Sequence, residues 1–420
     1  MYKLELINKK EYEEFLNNST YSHFMQSYEF GQIKKEKGFT PYYIGLKKDN
    51  KLVGIALLLE KKLLLNYTYL YSPRGYILDY NNKELIEAFT TELKEFAREK
   101  KAIFVKIDPA IKRHNLDIDG NILDGKNNYD LIDFLKKIGY KHQGYNLGFE
   151  KEQPRFTYKI DINKDVEEVF KNMHPTTRKI LNKNNEYNLD IYKGNMDDIE
   201  DFYTTIKETS EREGIVQSNL DYYKIFYKIF NETNHSDLYI VKANMDKVKK
   251  NIKDNIDSIK EKISNLNDIP KNKTKINDLN SKITKLENEL AEIEKIKEKE
   301  IVLSSIITVK YKDTVWTVHG GNNSILTRLN GNYECYWKII KDANKEGYHY
   351  VDCFGTCGIA NPDRNNPIFG IHSFKKRLGG EYIEFIGEFD YVFNKPMYFF
   401  YTKLIPIYRK LKRKKIKKEL

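Results

Sequence analysis

Between Asn244 and Glu300, apolar residues recur in steps of three and four: Met245, Val248, Ile252, Ile256, Ile259, Ile263 and Leu266, then Ile276, Leu279, Ile283, Leu286, Leu290 and Ile293. That beat marks a helix with one apolar stripe. It predicts two helices joined near Pro270, where the phase breaks. Each arm of roughly 25 residues would extend about 37 Å. Folded back as an antiparallel hairpin, the two stripes cover each other; a dimerising coiled coil would cover them with a second chain.

The flanks limit where such a hairpin can stand. SDLYIVKAN precedes it, and VLSSIITVKYK and TVWTVHGG follow, all strand-like. The hairpin therefore takes the place of a turn in a β-meander and is an insertion into a domain. With it set aside, the chain repeats itself. The first half runs YYIGLKKDNKLVGIALLLEKKL, YTYLYSPRG, the helical KELIEAFTTELKEFAREKK, and AIFVKIDPA. The second runs LYIVKAN, VLSSIITVKYK, TVWTVHGG, the helical NYECYWKIIKDANKEG, and HYVDCFGT. Both read strand, connection, strand, strand, glycine turn, helix, strand. The expectation is an α/β chain of α+β type: residues 1–153 a first domain, 154–243 with 301–402 a second, 244–300 an inserted arm and 403–420 a basic tail. A mixed sheet crossed by such a helix is also the build of N-acyltransferase folds.

With 420 residues the chain exceeds one ordinary core, in keeping with two domains. A net charge of +11 points to a polyanionic partner, nucleic acid or an anionic membrane surface. The run RKLKRKKIKK from Arg409 to Lys418 carries much of it, either as a phosphate- or headgroup-seeking tail or as a solubilising end. Cys335, Cys353 and Cys357 are an odd set that fits a reducing cytoplasm. The start, MYKLELINKK, lacks a signal-peptide core, and no run approaches the ~18 apolar residues of a membrane span. The expected location is the cytoplasm, with peripheral contact on the inner face of the plasma membrane. Cys353 and Cys357 with His319 and His372 make a poor metal set, because the spacing is unusual and no fourth ligand is signalled. There is no P-loop and no dinucleotide fingerprint.

One stretch gathers charge and turn chemistry: FKKRLGGEYIEFIGEFDY, residues 374–391. Lys375, Lys376 and Arg377 precede Gly379 and Gly380, and Glu381, Glu384, Glu388 and Asp390 follow. Read alone it is an anion-binding turn feeding a strand with one acidic face. Upstream, Thr176, Thr177, Arg178 and Lys179 follow Pro175 at a helix start, where backbone N–H groups and basic side chains suit a phosphate; ordinary capping explains the threonines equally well.

Taken in order, several motifs resemble the Fem family (FemABX) of peptidoglycan interpeptide-bridge aminoacyltransferases. They are FMQSYEFGQIKKEKGF, YSPRGYILDY, VKIDPA, HPTTRKILNK and FKKRLGGEYIEFIGEFDYV, with the inserted arm a feature of several members. The resemblance implies paired GNAT-like folds. It also implies transfer of an amino acid from aminoacyl-tRNA to the stem-peptide amine of a precursor, lipid II or UDP-MurNAc-pentapeptide. No metal and no free nucleotide cofactor are implied, and a monomer or weak dimer is expected. It places Lys34, with Lys35 beside it, at a substrate-phosphate contact and Tyr222 at a substrate-pocket aromatic. Phe374 falls where the terminal adenine of tRNA stacks, Lys375 where a lysine supports the reacting ester, and Asp108 and Glu388 at acidic site positions. Two departures stand out: Ser218 occupies the place of a phosphate-binding arginine, and His319 that of a tyrosine. They favour the lipid-linked acceptor over the soluble one.

Aminolysis of an ester passes through an oxyanion that a fixed cation stabilises, which Lys375 can supply, and the amine must shed a proton, which Asp108 or Glu388 can take. Glu381, Glu384 and Asp390 are expected at the surface. Two other classes compete. An acyl-CoA N-acyltransferase would need small residues where a helix meets the pyrophosphate, and RLNGNYECYW offers Gly331 but then the bulky Tyr333. A non-catalytic RNA-binding coiled-coil protein would explain arm and charge but leave Phe374, Lys375 and the paired domains without purpose.

Overall fold

The computed structural model describes residues 1–184, 187–214, 216–266, 270–324, 326–366 and 368–406. The basic run 409–418 and residues 267–269 just before Pro270 lie outside the described residues. The chain forms two compact units. One comprises Met1–Lys159, Phe354–His372 and the chain from Glu381; the other comprises Ile160–Cys353 and Ser373–Gly380.

The first unit holds β1 (Tyr2–Leu6), α1 (Lys9–Asn18), α2 (Tyr28–Glu36), β2 (Thr40–Lys48), β3 (Lys51–Lys62), β4 (Thr68–Ser72) and β5 (Ile77–Leu78). Then come α3 (Lys83–Glu99), β6 (Ala102–Ile107), β7 (Lys112–His114), α4 (Tyr129–Lys137), β8 (Tyr140–His142) and most of β9 (Phe156–Asp161). The β2–β3 hairpin closes on Asp49 and Asn50, both at positive φ, the conformation a two-residue turn requires. From Gly54 to Glu60 every residue of β3 is buried, so the strand reads as an unbroken apolar run covered on both faces. Helix α3 starts where the Asn82 side chain accepts the Leu85 N–H at 3.1 Å, with Glu84 in its first turn and Arg98 in its last. It buries Leu85, Ile86, Phe89, Leu93 and Ala97 against the sheet. Covering a ring such as Phe89 is worth roughly 1.5–3 kcal/mol. The helix delivers the chain to β6, which runs parallel to β4.

The second unit repeats this plan. It holds α5 (Val166–Asn172), α6 (Pro175–Asn184), β10 (Asp190–Gly194), α7 (Ile199–Glu213), α8 (Leu220–Asn231), β11 (Ser236–Asn244), α9 (Met245–Ser264) and α10 (Pro270–Glu294). These are followed by β12 (Glu300–Tyr311), β13 (Thr314–Asn322), α11 (Gly331–Lys345) and β14 (Tyr350–Asp352). β10, β11, β12 and β13 pair antiparallel in turn, and β14 then runs parallel to β13 after α11. Two glycines permit close layers. A Cβ at Gly331 would stand 2.6 Å from the Leu303 Cβ, and one at Gly321 would stand 2.4 Å from the Thr205 backbone.

Between β11 and β12 stands the helical pair. Pairing of β11 with β12 shifts register once, between Val241 and Lys242, and then continues to the last residue, Asn244 opposite Glu300, where the Met245 N–H donates to the Lys299 carbonyl at 2.9 Å. Asn244 also caps α9 by accepting the Lys247 N–H at 3.1 Å. Strand therefore becomes helix without a linker. Val248, Ile252, Ile256 and Ile259 of α9 and Ile283, Leu286 and Ile293 of α10 are buried. The base is pinned by Glu289, which accepts the Tyr187 hydroxyl at 2.8 Å and lies near Lys183 and Arg328.

After β14 come α12 (Phe369–Arg377), β15 (Glu381–Phe385), β16 (Phe389–Val392) and α13 (Lys395–Phe399) with a π-helical turn over Phe400–Leu404. β16 lies between β6 and β8, completing the first unit's sheet in the order β1-β2-β3-β4-β6-β16-β8, with β5 on β3; β15 pairs with β9 and β7. Among the described residues, no helix is long and apolar enough to cross a membrane.

Candidate active site

In the first unit, β6 ends in VKI at Ile107, with Lys106 one residue from its end and Asp108 the first residue beyond it. β16 sets Asp390 directly opposite Lys106, just after Glu388. The Lys106 ammonium lies 3.0 Å from Glu388 Oε2 and 3.0 Å from Asp390 Oδ1. Glu388 Oε1 accepts the Glu152 N–H at 2.7 Å, and Asp390 Oδ2 accepts the Tyr398 hydroxyl at 2.8 Å. Burial alone would depress Lys106, but Asp390 and Glu388 outweigh it and hold the amine charged. Burial, with repulsion from Glu388, raises both Glu152 and Asp390.

Asp108 is 2 % exposed. Its Oδ1 accepts the Arg74 N–H at 2.7 Å and its Oδ2 the Tyr71 hydroxyl at 3.2 Å. Burial pushes its carboxyl up to about 7, against the Arg74 charge and with Glu388 adding. The turn that presents Arg74 is braced by Gln26, whose amide donates to the Pro73 carbonyl at 2.5 Å and whose carbonyl accepts the Leu57 N–H at 2.8 Å. Ser27 caps α2 through the Phe30 N–H. The glutamine-serine opening is thus a structural brace. α2 carries Lys34, whose amine burial depresses while Glu152 draws it back up. Glu152 therefore links Lys34 to Glu388 electrostatically, and Glu388 in turn acts on Asp108, whereas Lys35 is exposed.

Glu384 and Asp390 correct the sequence reading: both are buried, as is Glu388. Glu384 is held by Arg155, by Arg113 at 2.9 Å and by His114 at 2.9 Å. Arg155 and Arg113 overcome the effect of burial and lower its carboxyl. The acidic face is thus turned inward because β15 and β16 are interior strands with cations opposite. Glu381 stays near the surface, paired with Lys112. Lys106, Glu152 and Asp390 were missed, and the i, i+2 spacing in VKIDP and GEFD was the signal that could have found two of them.

In the second unit, Phe374 and Lys375 lie on the part of α12 that ends at Gly379 and Gly380, both at positive φ (82° and 115°). A Cβ at Gly379 would press to 3.0 Å from the Asn172 carbonyl oxygen, so only glycine suits both the φ and the space. The Phe374 ring meets Tyr333 and Tyr336 of α11 edge-on, at 4.8 and 5.0 Å between centroids. Lys375 is buried, and burial lowers its amine to about 8 against the pull of Cys353 and Asp352 at the end of β14. The Arg377 carbonyl accepts the His174 N–H at 3.0 Å and the Thr177 hydroxyl at 2.9 Å, so that threonine ties α6 to α12. Arg178 is half-buried on α6.

Tyr222 and His319 of the same unit come together, with ring centroids 5.8 Å apart, and Phe226 lies 4.8 Å from His319. Burial raises the Tyr222 phenol. All three cysteines are buried thiols. His372 sits between Thr356 Oγ1 and the Ala360 carbonyl, and Cys357 donates to the Ile359 carbonyl. Among the described residues no cluster of His, Cys, Asp and Glu could hold a metal ion.

Two mixed sheets, each with a parallel strand pair joined by a helix, define an α/β chain of two N-acyltransferase-like units. The profile of the FemAB family matches residues 7–405, and the chain belongs to that family. It is 27% identical over 428 residues to a lipid II:glycine glycyltransferase of Staphylococcus epidermidis, covering 98% of each chain. It is 28% identical over 443 residues to one of Staphylococcus aureus, covering 99% of this chain and 100% of the relative. A crystal structure of FemX superposes with a TM-score of 0.74 at 26% identity, covering 94% of this chain and 98% of the other. The chain is a transferase.

Proposed function

We propose that the chain moves an aminoacyl group from aminoacyl-tRNA to the stem-peptide amine of lipid II, extending a peptidoglycan interpeptide bridge. The observation that carries this reading is end-to-end similarity to the two glycyltransferases whose names give lipid II as their substrate. Transfer from tRNA is supported by the net charge of +11 and by an aromatic, Phe374, next to a buried lysine.

The reaction asks for three things. The amine nitrogen forms a bond to the ester carbonyl carbon, the carbonyl oxygen takes up negative charge, and the bond to the ribose oxygen then breaks. A Lys375 ammonium stabilises that oxyanion, and its buried setting strengthens the interaction. The attacking amine loses a proton to Asp108, poised near 7, or to Glu388, and that proton is then returned to the ribose oxygen, which leaves as a hydroxyl. Lys34, Lys35 and Arg178 supply positive charge for substrate phosphates, and Tyr222 with His319 lines the acceptor pocket.

Purified protein is mixed with tRNA charged with each amino acid in turn and with lipid II, and stem peptides are analysed by mass. An added aminoacyl residue is expected from at least one charged tRNA. Turnover of acyl-CoA with no transfer from any tRNA would sink the proposal.

A further inference from the structure

The helix that follows β16 has two sides. Its inner side is bonded to the first unit: Tyr398 donates to Asp390 at 2.8 Å and meets Phe104 edge-on at 5.3 Å, and Tyr401 lies 6.0 Å from Tyr69. Its outer side carries Lys395, Phe399, Phe400, Lys403 and Leu404, all exposed, with Phe399 at 58% and Leu404 at 43%. Positions i, i+1, i+4 and i+5 share one helix face, so Phe399, Phe400 and Leu404 form an apolar stripe with Lys403 within it and Lys395 one turn before it. The chain then continues in sequence as RKLKRKKIKK, with eight basic residues in ten and no acid.

A second exposed apolar feature lies close by. The connection between β3 and β4 reads LLLNY, just after Lys61 and Lys62 at the end of β3, and Leu64 and Leu65 are 66% and 77% exposed, with Leu65 at φ 58°. A leucine held out in the left-handed region meets neither ordinary backbone preference nor ordinary burial. Leu65 stands four positions before Tyr69, whose ring meets Tyr401, so the Cα atoms of Leu65 and Tyr69 lie within about 14 Å of each other.

We propose that this corner of the first unit, the outer face of the helix together with the Leu64–Leu65 loop, docks on an anionic lipid bilayer. Apolar residues flanked by lysines and joined to a polybasic segment are the two signals that together give stable peripheral binding. A site for nucleic acid would need the charge but not the outward phenylalanines and leucines. The docking face is the back of the candidate site: Tyr398 leaves the helix for Asp390, and Asp390 shares Lys106 with Glu388. A purpose for docking there rests on the lipid-linked acceptor proposed above; the binding itself does not.

Flotation of the full-length protein with vesicles of phosphatidylcholine, with and without phosphatidylglycerol, tests this in the absence of precursor and RNA. Binding is expected only to the anionic vesicles and is expected to fall with salt. The double change Phe399→Glu/Phe400→Glu should weaken it about tenfold or more, and Leu65→Glu should weaken it independently. Phe399→Ser/Phe400→Ser, with an unchanged melting temperature, guards against misfolding as the cause. Wild-type binding by both double variants, equal binding to neutral vesicles, or RNA retention with no vesicle binding would overturn the proposal, as would loss of a dimer in the variants with vesicle binding intact. If vesicle binding follows expectation while no charged tRNA supports transfer, docking stands and the assigned reaction fails.

Discussion

Lys375 and Asp108 are paid for in stability. The Lys375 amine has its ordinary value of 10.5 in the unfolded chain and about 8 in the folded one. The unfolded chain therefore binds more protons between those values, and stability rises with pH across that window; the penalty is full below about 8. Lys375→Met should raise stability by up to about 3 kcal/mol at pH 7 and by much less at pH 10, while abolishing transfer. Thermal melts at both pH values check the first part and a transfer assay the second; retained activity would remove Lys375 from the chemistry. Asp108 has the opposite shift, from 3.8 to about 7. Its contribution is present below 3.8 and is lost as pH rises through about 7. If Asp108 takes the amine proton, kcat/KM climbs as pH passes about 7 and declines as Lys375 deprotonates above about 8. Asp108→Asn should lose the acidic limb of that profile while keeping the alkaline one; a limb unchanged in the variant would remove Asp108 as the proton acceptor. The sequence named Asp108, Glu388 and Lys375 only through motif resemblance. It left out Lys106 because the 282 positions between Lys106 and Glu388 are closed by a strand pairing that no local pattern announces.

The elements were more legible than the contacts between them. Strand-like runs and helical stretches were readable in order along the chain, and three-and-four spacing marked α9 and α10, because each element's own apolar face records what it packs against. The arm shows how far that goes. Asn244 is at once the last residue of β11 and the cap of α9, so strand register does not depend on the helices. Replacing residues 245–299 by Asp-Gly should leave a folded protein whose far-UV spectrum loses helix, with a melting temperature lower by only a few degrees. Global unfolding would show that Glu289 and the buried arm residues hold up the unit. The strands after Gly380 were not legible in this way. β15 and β16 look like terminal surface strands, yet β16 has a partner on each side, and its acids face cations contributed by β6. A chain ending at residue 380 leaves β8 without a partner and one edge of β6 open, and should be insoluble, whereas one ending at residue 406 should fold; a soluble, cooperative melt from the shorter chain would contradict the topology.

At the scale of the whole molecule, charge separates donor recognition from chemistry. An excess of +11 over 420 residues is more than folding needs, and its natural counterpart is a polyanion. If that polyanion is the tRNA body, affinity for the donor should fall steeply with salt: four phosphate contacts give a loss of about 10²-fold between 50 and 200 mM. Lys375 and Asp108 are each shielded by burial, so a chemical step that depends on either should respond little. Measured with charged tRNA, KM should therefore climb with salt at nearly constant kcat. A short aminoacylated oligonucleotide ending in the same terminal adenosine has few phosphates to offer, so its KM should be high at every salt concentration and almost flat. Equal salt slopes for the two donors would mean that the basic surface does not engage the tRNA body. The excess charge would then be left for the bilayer, and recognition of the donor would have to come from its terminal nucleotides alone, through the Phe374 ring and the amine beside it.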